Sequence, residues 1–358
     1  LMESATAVES ATAKMKIGTH SGTFHCDEAL ACYMLKLLPE YKDAEIVRSR
    51  DQKILDTLPI LVDVGGVYDA SKHRYDHHQR GFTEVFGHGF TTKLSSAGLV
   101  YKHFGKQIIS LVSGLSDSKA IDTLYLKIYQ GFIQAIDGID NGVPSHAGEG
   151  PMNYRVSTDL SSRVKYLNPA WNEEGVDVHA RFTKAVEMTG LELTQCIERY
   201  TKAWLPARKL VEDAINQRHN HHKSGSVVVF TKYCSWQTHL HELETEMKIS
   251  KGNAPPALLY VIYPDSRGAW RIQCIPEAEG SFVSRLPLPE PWRGVRGEAL
   301  SALCKIPKCI FAHANGFIGG NETFEGALAM ADASLVSSSS SSSSSSTEIP
   351  AAKKPKTG

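Results

Sequence analysis

The sequence lacks several features that would assign it to a specialised class. Its seven cysteines form no CxxC pair, and an odd number of cysteines cannot close into a complete disulfide framework. This pattern is typical of reduced thiols in the cytoplasm, nucleus or mitochondrial matrix, and it argues against secretion. No run of about 18 apolar residues predicts a membrane span. Lys and Arg number 39, as do Asp and Glu, so no global positive field indicates a nucleic-acid partner, although a local basic groove stays open.

The two ends of the chain differ in composition from the middle. Residues 1–15 are small and polar, and they lack the arginines of a transit peptide and the apolar core of a secretory signal. A serine run leads into the closing stretch "TEIPAAKKPKTG", so we expect residues 1–15 and 336–358 to be disordered. The tail motif "KKPK" fits either a nuclear-import signal or a solvated basic tail. The remaining 320 or so residues are enough for two domains.

Strand and helix patterns alternate through residues 16–150. The stretches "MKIGTH", "AEIVRSR" and the apolar run Ile60–Val64 predict strands, whereas "DEALACYMLKLLPEY" and "SSAGLVYKHFGKQIISLV" have the apolar spacing of helices. Such alternation predicts an α/β domain with a mostly parallel sheet. Ligands of these sheets bind beyond the carboxyl ends of the strands.

The rest of the chain predicts two further parts. Residues 151–225 have a mainly helical pattern and form the expected helical connector. Residues 226–335 contain the strand-like stretches "SVVVF", "PALLYVIYP" and "WRIQCIP", and "CIFAHANGFIGGNETFEGALAMADASL" predicts a strand, a glycine-rich turn and a helix. This pattern predicts a second, smaller α/β domain.

Aspartates and histidines recur in four separated segments of the first domain: "THSGTFHCDEA", "LVDVGG", "YDHH" and "AIDGIDNG". Most of them fall at predicted strand or helix ends, which a parallel sheet brings together. Mixed histidine and carboxylate ligands suit Mn²⁺, Mg²⁺ or Zn²⁺, and there are enough of them for two divalent ions bridged by a carboxylate. The candidate metal ligands are His20, His25, Asp27, Asp63, Asp76, His77, Asp137 and Asp140.

Each of these residues also fits a structural role when it is taken alone. Asp63 precedes two glycines and suits a turn, and His20 suits the end of a strand. Asp137 and Asp140 suit a helix terminus, and the sequence does not decide which of the two is the ligand. For Cys26, a buried inert thiol is a better interpretation than a nucleophile.

The motifs "THSGTFHCDEALA", "ILVDVGGVYD", "YDHHQRGF" and "IDGIDNG" together resemble the DHH phosphoesterase superfamily. More closely, the chain resembles the Myg family of melanocyte-proliferating-gene exonucleases, over residues 16–335. The resemblance implies a catalytic DHH domain, a DHH-associated substrate-binding domain and a cleft between them. It also implies 3′→5′ exonuclease action on RNA in the nucleus and mitochondria. The wider superfamily often has two aspartates where this sequence has His25 and Asp27, so the preferred metal stays open between Mn²⁺ and Mg²⁺.

Further roles follow from the residues together with this resemblance. We expect His78 to contact the scissile phosphate or to protonate the leaving group, Arg80 to hold the phosphate, and Asp76 to act at the same site. Glycines between a strand and a helix let backbone N–H groups approach a phosphate, and arginines bind phosphate with forked contacts. The candidate substrate-binding residues of the second domain are Arg293, Arg296, His313, Gly316, Gly319 and Gly320.

The sequence therefore predicts a metal-dependent phosphodiesterase that removes nucleotides from the 3′ end of RNA. One alternative is a hydrolase of short oligonucleotides or small phosphodiesters that uses the same metals. An alternative of another class is a non-catalytic RNA-binding protein. The RNA target, the sequence preference and the oligomeric state are not readable from the sequence.

Overall fold

A computed structural model describes residues 14–146 and 154–341, and the chain divides into two compact units, Leu1–Leu205 and Pro206–Gly358. The predicted connector 151–225 does not stand apart, because residues 154–205 belong to the first unit and 206–225 to the second. The predicted disordered end 1–15 and the tail from residue 342 lie almost wholly outside the described residues, as does the predicted boundary at 150.

The first unit contains seven strands and seven helices among its described residues. Its strands are β1 (Lys16–Thr19), β2 (Glu45–Arg48), β3 (Ile60–Val62), β4 (Tyr68–Asp69), β5 (Arg74–Tyr75), β6 (Val85–Gly87) and β7 (Phe90–Lys93). Its helices are α1 (Cys26–Lys36), α2 (Gln52–Leu55), α3 (Ser96–Ser113), α4 (Ser118–Ile128), α5 (Gln134–Asp140), α6 (Leu160–Lys165) and α7 (Val178–Arg199).

The main sheet of the first unit has the strand order β2-β1-β3-β5-β4. All its pairs are parallel except the edge pair β4–β5, and β6 and β7 form a separate antiparallel hairpin. Ile17 lies beside Ile46 on one side and Ile60 on the other. The predicted α/β domain with a mostly parallel sheet is thereby confirmed.

The core of the first unit explains the apolar run at residues 60–64. Ile17, Ile60 and Val62 are fully buried against α1, whose Leu30 and Met34 are fully buried as well. Leu61 faces the opposite side of the sheet, where it joins a smaller apolar cluster. A central parallel strand is covered on both faces, so its sequence is apolar without alternation.

Two π-helical turns interrupt the long helices. Residues Tyr129–Ile133 join α4 to α5, and Tyr200–Trp204 follow α7. The two turns come close, because a Cβ added to Gly131 would meet the Tyr200 hydroxyl at 2.5 Å. Wider turns of this kind insert a residue into a helix and redirect the side chains that follow.

The second unit is the smaller α/β body that the sequence predicts. Its strands are β8 (Val227–Val229), β9 (Tyr260–Pro264), β10 (Trp270–Cys274), β11 (Cys309–Ala312) and β12 (Ile318–Asn321). Its helices are α8 (Leu205–Asn216, which begins at the last residue of the first unit), α9 (Arg218–His221), α10 (Gln237–Glu246), α11 (Gly297–Cys304) and α12 (Phe324–Ser341). The sheet has the order β11-β12-β10-β9-β8, with only β8 and β9 parallel.

Two local predictions differ from the structure of the second unit. Gly319 and Gly320 lie within β12, and the helix that follows does not begin until Phe324. A Cβ on Gly320 would meet the Arg271 guanidinium at 2.3 Å, so this glycine makes room for a neighbour. Helix α12 also continues to Ser341, a few residues into the serine run that the sequence predicts to be disordered.

None of the helices in the described residues has both the length and the apolar composition that a membrane span requires.

Candidate metal centre

Three strands of the parallel sheet end at one edge, and a histidine or aspartate follows each of them. His20 comes directly after β1, Asp63 directly after β3, and the Asp76–His78 triplet directly after β5. Helix α1 begins at the same edge, and α5 ends there. The fold thus brings together the four segments that the sequence predicts to meet.

Asp63 has a backbone conformation that few residues other than glycine adopt. Its φ is +56°, and Gly65 and Gly66 follow with φ of +98° and +68°. The backbone N–H of Asp63 still donates to the Tyr75 carbonyl at 3.0 Å, so the strand pairing continues up to the turn. A left-handed non-glycine residue costs about 1 kcal/mol or more and is enriched at functional sites.

The Asp63 carboxylate lies between two histidines as a result of this turn. Its Oδ2 is 3.3 Å from Nε2 of His20, and its Oδ1 is 3.5 Å from Nε2 of His77. All three side chains are buried. Asp63 therefore lies between two of the histidines that the sequence predicts as metal ligands.

One group of possible ligands surrounds His20. It consists of His20, His25, Glu28 and Asp63, whose ligand atoms lie within 4.8 Å of one another. His20 Nε2 is 3.0 Å from Glu28 Oε1, which also accepts a hydrogen bond from the His25 backbone at 2.8 Å. The sequence reasoning missed Glu28. Its signal was present, since Glu28 is the acidic neighbour of Asp27 in the first turn of α1.

A second group consists of Asp27, His77 and Asp140. His77 Nε2 is 3.3 Å from Asp140 Oδ2, and its Nδ1 is 3.2 Å from the Leu94 carbonyl oxygen. A carbonyl only accepts, so this contact places the proton on Nδ1 and leaves the Nε2 lone pair free for a ligand. Asp27 Oδ2 accepts from the Ser96 hydroxyl at 2.7 Å.

Asp137 does not take part in these groups. Its Oδ1 accepts from the Ser95 backbone N–H at 2.9 Å and from the Ser95 hydroxyl at 2.7 Å, and its Oδ2 accepts from the Tyr129 hydroxyl at 3.0 Å. A Cβ on Gly98 would come within 2.3 Å of the same carboxylate, so the packing is tight. Of the two aspartates that the sequence left open, Asp140 is the one that faces the other ligand candidates.

Asp76 is hydrogen-bonded through both carboxylate oxygens to the backbone at this edge, and its role as a metal ligand stays a prediction. Its Oδ2 accepts from the Gly66 N–H at 2.6 Å, and its Oδ1 accepts from the His78 N–H at 2.9 Å. It is absent from the ligand groups found in the described residues. The hydrogen bonds of Asp76 stabilise the turn after Asp63 and hold the orientation of His78.

The adjacent histidines point to different surroundings. His77 is buried, whereas the His78 side chain is 63% exposed, with Nδ1 3.0 Å from Asp76 Oδ1 and 3.3 Å from Asp63 Oδ1. Asp63, His77 and His78 form a third possible ligand group. Arg80 is exposed in the turn that follows. The expected roles of His78 and Arg80 toward a phosphate stay predictions.

The carboxyl groups of the centre repel one another. Burial and the charges of Asp27 and Asp63 raise the pKa of Asp140 to about 9. Burial likewise raises the pKa of Asp27 and brings that of Glu28 to about 8. Burial opposes ionisation of Asp63, yet the neighbouring histidines His20, His78 and His77 together outweigh it and hold the Asp63 pKa well below its ordinary range. Without added positive charge, the cluster retains protons that free carboxyl groups would lose.

Several buried carboxylate oxygen atoms of the centre accept no hydrogen bond from the described residues, as expected for atoms that bind cations. These atoms are Asp27 Oδ1, Glu28 Oε2 and Asp63 Oδ1. An ionised carboxylate costs several kcal/mol to bury without a partner. Oxygen and imidazole ligands together suit Mn²⁺, Mg²⁺ and Zn²⁺. The residues present therefore fit one or two divalent ions, and among them no cysteine is a ligand candidate.

A cavity of about 520 Å³ opens beside the centre within the first unit. Its lining includes His78 and Asp140 of the centre and Ser161, Ser162 and Lys165 of α6. Volumes of this size are typical of small-ligand sites.

The predicted substrate-binding residues of the second unit are only partly available. Arg296 and His313 are exposed, but Nε of Arg293 donates to the Leu288 carbonyl at 3.0 Å. Gly316 lies in the turn between β11 and β12 with a φ of +70°. Gly319 and Gly320 lie in β12, which pairs with strands on both sides. These two glycines are therefore not part of the turn between a strand and a helix that the sequence predicted.

A parallel α/β sheet that ends in buried carboxylates and histidines defines a metal-binding protein of the α/β class. A family model for MYG1 exonucleases, described as "Uncharacterised protein family (UPF0160)", matches residues 16–335. The chain therefore belongs to this family, as the sequence motifs predict.

Two relatives illustrate the similarity. The chain is 52% identical over 328 residues to the MYG1 exonuclease of Homo sapiens, a match that covers 89% of this chain and 85% of that protein. It is 46% identical over 326 residues to the MYG1 protein of Dictyostelium discoideum, a match that covers 90% of this chain and 97% of that protein. Among solved structures, the exonuclease RecJ bound to manganese matches at 12% identity over 91% of this chain and 90% of that chain, with a TM-score of 0.22.

Proposed function

We propose that this chain is a metal-dependent 3′→5′ exonuclease that hydrolyses phosphodiester bonds of RNA. The observation that carries the proposal is the pair of histidine–carboxylate groups that share Asp63, with buried carboxylate oxygens aimed into them. Membership of a family whose human relative is named an exonuclease supports nuclease chemistry. The preference for RNA and the polarity rest on resemblance to the Myg family.

The proposed ligands fall into two sets that meet at Asp63. Bound divalent ions would supply Lewis-acid chemistry, which activates water and neutralises phosphoryl oxygens. The proposed set on one side is His20, His25, Glu28 and Asp63. The proposed set on the other side joins Asp27, His77 and Asp140 to Asp63, whose Oδ1 is 3.5 Å from His77 Nε2. Mn²⁺ and Mg²⁺ are the proposed ions.

The remaining residues of the site act on the substrate. His78 is exposed at the cavity. A hydrogen bond between its Nδ1 and Asp76 Oδ1 leaves Nε2 free to contact a phosphate or a leaving oxygen. Asp76 positions this ring, and Arg80 contributes a positive charge in the same turn. Arg296 and His313 of the second unit stay candidates for contacts with nucleotides farther along the strand. By the same family resemblance, we propose that the protein acts in the nucleus and mitochondria.

The test uses single-stranded RNA labelled at either end, matched DNA, a dinucleotide and bis-p-nitrophenyl phosphate, each with Mn²⁺ or Mg²⁺. The proposal expects 3′-labelled RNA to release a labelled mononucleotide at once and 5′-labelled RNA to shorten stepwise. The opposite order would contradict the polarity, and cleavage of the dinucleotide alone would favour a hydrolase of short oligonucleotides. RNA binding without hydrolysis, in a chain with full metal content, would favour the non-catalytic alternative.

A further inference from the structure

The cavity beside the metal centre has two chemically different walls away from the proposed ligands. One wall is apolar and consists of Phe24, which precedes α1, and of Ile136 and Ile139 from α5. The other is polar and comes from α6, with Ser161, Ser162 and Lys165. A cavity that joins an apolar face and a cation to a metal-binding edge matches a nucleotide, which has a planar base at one end and the reacting phosphate at the other.

Ile139 gives the apolar wall an exposed surface. The residue directly precedes Asp140, and it is 49% exposed, whereas Ile136 and Phe24 are buried. About half of Ile139 is therefore open to contact a planar base or the ribose in the cavity. Such contacts tolerate any base sequence, as expected for an enzyme that removes successive nucleotides.

Lys165 is the distinctive cation of the polar wall. The other basic residue of α6, Arg163, is paired with Glu192 at 2.5 Å. The Ser162 hydroxyl donates to Asp159 at 2.6 Å. Lys165 is exposed, and within the described part of the chain its ammonium group has no recorded ion pair or hydrogen bond. Its charge is therefore available to an anion that enters the cavity.

We propose that this cavity receives the terminal nucleotide of the substrate, with Lys165 contacting a phosphate and Ile139 contacting the base or ribose. The inference rests on the proposed function for the identity of the substrate. It extends that function by adding Lys165 and Ile139 of the first unit to the candidate substrate contacts, which from the sequence are His78, Arg80 and residues of the second unit.

The test measures binding of uridine 5′-monophosphate and of uridine by calorimetry to the full chain loaded with Mn²⁺, so it does not depend on turnover. Lys165→Ala should weaken binding of the monophosphate about tenfold, because a charge-assisted contact is lost, and leave uridine nearly unchanged. Lys165→Arg should retain most of the affinity. Ile139→Ser should weaken both ligands by about fivefold, because apolar contact is lost in each case.

The matched control is Lys184→Ala. Lys184 is an exposed lysine on α7 that does not line the cavity, so its removal should leave both affinities unchanged. Metal content and thermal midpoint are measured for every variant. For short RNA substrates, Lys165→Ala should also reduce the slope of log(kcat/KM) against log[salt] by about 0.7, the value for one contact to a single strand.

The outcomes separate this subsite from the proposed function. Equal monophosphate affinity in Lys165→Ala and Lys184→Ala would overturn the subsite, even in an active exonuclease. Loss of bound metal in Lys165→Ala would also overturn it, because the lysine would then act on the metal centre. Lys165-dependent binding in a chain without exonuclease activity would sustain the subsite and contradict the proposed function.

Discussion

The two units treat their buried carboxylates in opposite ways. In the second unit, Glu244 is fully buried and both of its oxygens accept hydrogen bonds from the Arg285 guanidinium, at 2.5 and 2.8 Å. In the first unit, Asp27, Glu28 and Asp63 are buried close together, and each retains an oxygen atom without a hydrogen bond. The basic residues in the same candidate ligand groups are histidines.

This difference separates a structural charge from a functional one. Burying an ionised group is unfavourable unless a partner compensates for the lost hydration. The second unit supplies the partner from its own sequence, so its carboxylate is satisfied in the folded chain. The first unit leaves its carboxylates to be satisfied by cations from solution, which is the property that a metal centre requires.

The largest expected effect is the loss of activity in Asp63→Asn. This change removes the charge that both ligand sets share, so bound metal should fall. Hydrolysis of RNA should drop about 1,000-fold, which corresponds to a barrier about 4 kcal/mol higher. Metal content and initial rates are the measurements. The matched control is Asp43→Asn, at an exposed position outside the ligand groups. Similar rates in the two variants would break the comparison.

Glu244→Gln should show the reverse pattern. Removing one partner of a buried ion pair leaves the other uncompensated, so the free energy of unfolding should fall by about 3 kcal/mol. Metal content should not change, because Glu244 belongs to the other unit. Denaturant unfolding and metal analysis measure the two quantities. A variant that lost metal without losing stability would show that Glu244 is not a structural charge.

Asp27→Asn should stabilise the metal-free chain. The change removes one of several negative charges that are buried close together. In excess chelator, the free energy of unfolding should therefore be about 1.5 kcal/mol higher than that of the wild type, a gain typical of substitutions that relieve strain at a functional site. With Mn²⁺ present, the wild type should regain the advantage because ligand binding stabilises the folded state. Thermal unfolding in chelator and in Mn²⁺ gives both signs. A variant less stable in both conditions would mean that the carboxylates do not repel.

Ser95→Ala should have the smallest effect. It removes one of three hydrogen bonds to Asp137, at a cost of about 1 kcal/mol in stability. Metal content should stay at the wild-type level, whereas Asp140→Asn should lower it. If Ser95→Ala lost as much metal as Asp140→Asn, Asp137 would also have to be counted among the carboxylates that support metal binding.

The sequence was sufficient for the fold class and for most of the cluster, because both follow from local patterns. Strands and helices alternate, and parallel strands end at a common edge, so His20, Asp63 and the DHH triplet had to come close. The choice between Asp137 and Asp140 depends on Ser95, a residue 42 positions away from Asp137. No spacing rule contains that information.

Other differences have equally specific causes. An acidic residue in the first turn of a helix is readily interpreted as a cap, and Glu28 does accept a hydrogen bond from the His25 backbone. That interpretation gives no reason to expect its contact with His20. Glycines after a strand suggest a phosphate turn, but Gly320 is small because Arg271 and Phe311 occupy the space beside it. The boundary between units lies inside a run of helix, π turn and helix from 178 to 216, where composition gives no break.

The most direct test of the central claim is anomalous X-ray diffraction from crystals of the wild-type chain soaked in Mn²⁺. The account predicts two manganese peaks about 3.5–4 Å apart on either side of the Asp63 carboxylate. One should lie near His20 and Glu28, and the other near His77 and Asp140. Absence of manganese at this edge of the sheet, or a peak held by Asp137 in place of Asp140, would contradict it.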